Sequence, residues 1–68
     1  MASEKYRAEM SHSINHEQVN VNRTFWAQSK KVAREKFRNL LKADSSIQEA
    51  GLFRERDNKL TDEYNGYV

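Results

Sequence analysis

The sequence predicts a small all-α domain, and three observations carry that expectation. The chain has no proline and only two glycines, whereas an all-β fold needs turn residues at short intervals. Residues 24–43, TFWAQSKKVAREKFRNLLKA, gather apolar side chains on one arc of a helix. Downstream, Ser46 and Glu49 stand at the spacing of a capping box. The expected architecture is one long amphipathic helix (about 24–43), one or two short helices (about 46–60), and a flexible N-terminal arm. The arm covers 1–21 and the helical domain 22–68.

Composition limits what such a chain can build. A chain of 68 residues closes one core, worth about 3–5 kcal/mol net unless something else staples it. Without cysteine there is no disulfide and no cysteine-based zinc framework. Leu, Ile, Val and Phe make up 13 of 68 residues, just under the roughly 20% below which disorder becomes a concern. A partly folded chain or a weak homodimer is therefore expected. No run approaches the ~20 apolar residues of a membrane span. The segment MASEKYRAEM lacks the apolar centre of a signal peptide. The expectation is a cytoplasmic protein that does not engage membranes.

Within residues 1–21, Tyr6, Met10 and Ile14 recur at every fourth position, a thin helical stripe. Ser3, Ser11, Ser13, Asn15 and Asn20 compete for the backbone around it, so the segment is expected to move freely. QVNVN alternates with period two but is too short to stand alone as a strand. Next comes the long helix, with Thr24 as its expected N-cap. Phe25, Trp26, Val32, Ala33, Phe37, Leu40 and Leu41 share its apolar arc. Lys36 projects within that arc, its stem packed and its ammonium snorkelling outward.

The remaining elements are shorter. Ile47 and Ala50 face inward on a short helix that stops or bends at Gly51. LFRERDNKL is either a helix carrying Leu52, Phe53 and Leu60 or a hairpin turning at Asp57-Asn58-Lys59. Its wealth of charge and lack of β-branched residues favour the helix. TDEYNGYV closes the chain with an Asn-Gly turn signal. In the expected core, Trp26, Phe37, Leu40 and Leu41 pack against Ile47, Leu52 and Phe53.

Function is sought in the charge pattern. Residues 23–42 hold seven basic residues against one acid, a net +6, while the rest holds five against nine, a net −4. Lys31, Arg34, Arg38 and Lys42 line up opposite the apolar arc, with Lys30 at its boundary. Binding a phosphate backbone to such a face releases condensed counterions, and arginine adds a bidentate fork. A solvated face would mix signs at i, i+4 spacing, but only Lys31 and Glu35 do so clearly. Lys30, Lys31, Arg34, Arg38 and Lys42 are thus the expected contacts of a small non-enzymatic nucleic-acid-binding protein, DNA foremost, in an accessory or regulatory role. The alternative is a modulator or adaptor that engages an acidic surface of a larger protein.

Other constellations carry less. His12 and His16 have the i, i+4 spacing of two metal ligands, with Glu9 on the same helical face, but in an arm they are ordinary exposed polar residues. Ser, His and Asp occur without a glycine elbow or phosphate loop. No catalytic residue, metal or cofactor is expected. AREKFRNLL, followed by LFRERDNKLTDEY, resembles the first half of an FF-type helical domain, a protein-interaction module. Phe37, Leu40 and Leu41 match that family's first helix, and Asp62 and Tyr64 loosely match its later element. The family's loop tryptophan and last helix have no counterpart here.

Overall fold

The computed structural model describes residues 3–66. They form a four-stranded antiparallel sheet with one helix, in the order β1 (Glu4–Ile14), β2 (Glu17–Ala27), α1 (Lys30–Ala43), β3 (Ile47–Arg54) and β4 (Lys59–Asn65). The sheet order is β2-β1-β3-β4. Both β2 and β3 run antiparallel to β1, so they are parallel to each other and α1 is the crossover that carries the chain over the central strand.

This overturns the all-α expectation. Where a flexible arm was expected, β1 is the strand that the other elements are built around. Its side chains alternate: Tyr6, Ala8 and Met10 are buried under α1, while Lys5, Arg7 and Glu9 lie on the opposite face. A spacing of four fits a strand's period of two as well as a helix's 3.6, so Tyr6, Met10 and Ile14 did not discriminate. Ala8, between two of them, did. The β1–β2 hairpin closes through Asn15 and His16, both at positive φ (51° and 67°), as a two-residue type I′ turn requires. Its register then runs without a bulge from Ile14↔Glu17 to Glu4↔Ala27.

The helix is shorter than expected. It begins at Lys30, capped by Ser29, whose side chain accepts from the Val32 amide at 3.2 Å. Thr24, the expected cap, sits within β2. Phe25 and Trp26 therefore alternate across the sheet instead of sharing a helical arc. Phe25 turns inward against Tyr6, with ring centroids 6.2 Å apart, and Trp26 turns outward, 61% exposed.

The short helices expected over 46–60 are also absent. Ile47–Arg54 and Lys59–Asn65 are strands, and the hairpin turn around Asp57-Asn58-Lys59 is the alternative that formed. Asn58 supplies a positive φ of 53°, and Asp57 accepts from Arg54 (3.1 Å) and from the Lys59 amide (3.3 Å). Gly51 lies mid-strand, not at a helix end. A Cβ there would meet the Phe53 ring at 3.0 Å, so its bareness lets that ring lie flat on the sheet. The resemblance to an FF-type domain fails on the same ground, because Asp62 and Tyr64 belong to β4.

The core consists of Tyr6, Ala8, Met10, Ala27, Ala33, Phe37, Ile47 and Leu52, edged by Phe25, Val32, Leu40 and Leu41. Phe37 and Leu52 are fully buried at its centre. Trp26 and Phe53, both expected inside, are on the outer sheet face. No helix among the described residues is long and apolar enough to cross a membrane.

Candidate functional site

Helix α1 lies on one face of the sheet with Ala33 and Phe37 pressed inward. Lys30, Lys31, Arg34, Arg38 and Lys42 are all exposed. Lys31, Arg34, Arg38 and Lys42 line an open groove along the helix together with Glu35 and Asn39. The part of the expected helix that forms, Lys30–Ala43, displays these five cations outward.

The tertiary fold then divides them. Asp62 on β4, only 10% exposed, faces the helix and accepts a fork from Arg38: Nε to Oδ2 at 3.0 Å and Nη2 to Oδ1 at 2.9 Å. Arg34 Nε stands 3.7 Å from the same carboxylate. Arg38 also lies over the Phe37 ring at 5.9 Å. These two arginines thus tether the helix to the sheet edge as well as carrying charge. Lys30, Lys31 and Lys42 have no ion pair or hydrogen bond among the described residues and are exposed. Five cations against Glu35 and Asp62 leave this surface at a net +3.

On its other flank, Lys36 crosses the Phe25 ring at 5.9 Å and donates to the Trp26 carbonyl at 2.8 Å. Lys36 was expected to snorkel its ammonium outward; that group is instead bonded to the end of β2. Arg23, counted with the basic segment in the sequence, lies apart on β2.

The uncovered sheet face has the opposite character. Glu9, Glu49 and Glu63 line a shallow concavity with Asn20, Asn22 and Asn65. Beside it Arg7 is fixed by Glu9 at 2.7 Å, by Glu55 and Asn58, and by the Phe53 ring at 5.1 Å. The chain is therefore electrically two-sided, basic on the helix and acidic in the sheet concavity. Sequence reasoning missed the acidic side because its residues come from three strands.

The grouping of His12, His16 and Glu9 that a helical spacing would allow does not form. On a strand, His12 and Glu9 point to opposite faces, and His16 occupies the turn. Among the described residues no cluster suited to a metal ion occurs. His12 instead meets Ser46 and Asp44 where α1 ends. Its Nδ1 is 2.8 Å from Ser46 Oγ and 3.3 Å from Asp44 Oδ2. Ser46 donates its hydroxyl and its amide to Asp44 at 2.6 and 2.9 Å. Those bonds, with the His12 charge behind them, hold the Asp44 carboxyl below its usual range. The serine proton is committed to the carboxylate and not to the imidazole, opposite to nucleophile activation. This cluster locks the helix end onto β1.

No family model, curated protein or solved structure matches this chain.

Proposed function

We propose that the chain binds nucleic acid through the phosphate backbone, using the exposed cations of α1, and that it does no chemistry on it. The observation that supports this most is the two-sidedness of the charge. Lys30, Lys31, Arg34, Arg38 and Lys42 share the helix surface, while Glu9, Glu49 and Glu63 occupy the other side, so a polyanion is oriented onto one face and repelled from the other. From Lys31 to Lys42 the stripe rises about 16 Å at 1.5 Å per residue. Duplex DNA carries one charge per about 1.7 Å of axis, so several phosphates fall within reach. Point-charge lysines and two partly committed arginines suit contact to phosphate rather than to base edges, and weak sequence preference follows.

The test is binding to an unrelated duplex at several salt concentrations. With Lys30, Lys31 and Lys42 engaged, log affinity should fall against log salt with a slope of about −2.7 or steeper, at about −0.9 per contact. Replacing Lys31 and Lys42 by Gln should flatten that slope by about two units and weaken all sequences alike. Lysines are the right targets because Arg34 and Arg38 also hold the helix to Asp62. Absence of binding at low salt would sink the reading and leave an acidic protein surface as the partner for the same face.

A further inference from the structure

The two edges of the sheet are built differently. Edge strand β4 spans seven residues, its register is broken by a bulge at Leu52/Phe53, and it carries Lys59, Asp62 and Glu63. Short, bulged, charged edges resist pairing with other strands. Edge strand β2 spans eleven residues, has no bulge and no proline, and carries only Glu17 and Arg23 as charges. It is neither short nor bulged, and its charges are sparser than those of β4.

Its free hydrogen-bonding positions can be assigned. A two-residue turn closes on a bonded pair, here Ile14 and Glu17, and bonding then alternates along the hairpin. Odd-numbered residues of β2 thus bond to β1, and Gln18, Asn20, Asn22, Thr24 and Trp26 aim their backbone groups outward. The bonds from Ser13 N to Ser46 O and from Glu55 N to Lys5 O agree, since they turn odd residues of β1 toward β3. One outward group is taken: the Trp26 carbonyl accepts from Lys36. The open edge runs from Gln18 to Thr24.

We infer that this edge pairs with the same edge of a second copy, antiparallel about a two-fold axis at Asn20, to give a continuous eight-stranded sheet. The argument is self-complementarity. That register sets Asn20 against Asn20 of the partner subunit and Asn22 against Gln18 of the partner subunit, all at outward-bonding positions. On the helix side it sets Val19 against the partner's Val21, and Arg23 against the partner's Glu17. Val19 is 40% exposed and Val21 half-buried, and Glu17 and Arg23 have no partner among the described residues. They are six residues apart on one strand, about 20 Å, too far to pair within the chain. The two-fold brings them face to face twice, flanking four valines. A register centred on Asn22 would instead need the Trp26 edge that Lys36 occupies. The axis is perpendicular to the sheet, so both α1 helices fall on the same side.

The test uses two charge reversals in the full chain, followed by sedimentation. The wild type should dimerise at about 1 mM or below. R23E and E17R should each weaken self-association about tenfold or more, because each places like charges opposite one another twice. An equimolar mixture of the two should recover a dimer, since one chain then offers two acids and the other two bases. Asn22→Pro should be monomeric with an unchanged circular-dichroism spectrum, as it removes only an outward amide. A wild type that stays monomeric, single variants that dimerise as it does, or a mixture that fails to recover would each overturn the proposal. Salt dependence of DNA binding is a separate readout, so the two ideas fail independently.

Discussion

Phe37 is, among the described residues, the largest fully buried side chain, and through it the helix meets the sheet. Truncating a buried Phe to Ala costs about 3–5 kcal/mol, as much as a domain of this size holds in total. Phe37→Ala should therefore leave the chain mostly unfolded at 25 °C, seen as loss of amide dispersion by NMR. Asp57 offers a finer check. The bidentate Arg54 bond, followed by the Arg54 charge and the Lys59 amide, lowers its carboxyl from 3.8 to about 2. A depressed folded-state pKa means that its stabilisation is present above pH 3.8 and is lost as pH falls through about 2. An NMR titration should find the Asp57 midpoint near 2, and Arg54→Gln should return it to the ordinary carboxylate range. An unmoved midpoint would mean that the turn is not held by this pair.

Among the elements, the β1–β2 hairpin is the longest and has the least suitable turn. Asn15 tolerates positive φ well, but His16 does so poorly. Asn-Gly is the strongest type I′ pair, so His16→Gly should stabilise the protein by up to about 1 kcal/mol. Urea unfolding would show the gain as a higher midpoint at constant slope. The helix start makes the converse case. Ser29→Ala removes the capping bond to the Val32 amide and should cost about 0.5–2 kcal/mol. No change on that substitution would show that the helix is placed by its packing alone.

Across the whole molecule, β1 joins two hairpin halves that are distant in sequence. It pairs with β2 over its full length and with β3 from Tyr6↔Arg54 to His12↔Ile47. Amides of β1 should thus be among the slowest to exchange with deuterium, opening only with global unfolding. A loose arm would exchange in seconds, so protection at Ala8 and Met10 decides between the two pictures. The Arg38–Asp62 tether acts at this scale as well. Arg38→Gln should weaken the hold of α1 on β4 and lower stability, while leaving the strand register intact.

The helix body, its buried Ala33 and Phe37, and the outward stripe of Lys31, Arg34, Arg38 and Lys42 were legible in the local sequence. A helix bonds each residue to one four positions away, so its signals are complete within a short window. The sequence also contained the hairpin turn at Asp57-Asn58, though local composition argued against it. Tertiary structure alone decided the strands. A strand's backbone bonds go to a segment elsewhere in the chain, and β propensity is mostly the packing that such a neighbour provides. Tyr6, Met10 and Ile14 read as a helical stripe until β2 and β3 flank them, and Trp26 reads as core until Lys5 lies beside it on the uncovered face. The pairing of Arg34 and Arg38 with Asp62 was likewise out of reach, because more than twenty residues separate them and only the crossover over β1 brings the helix to that edge.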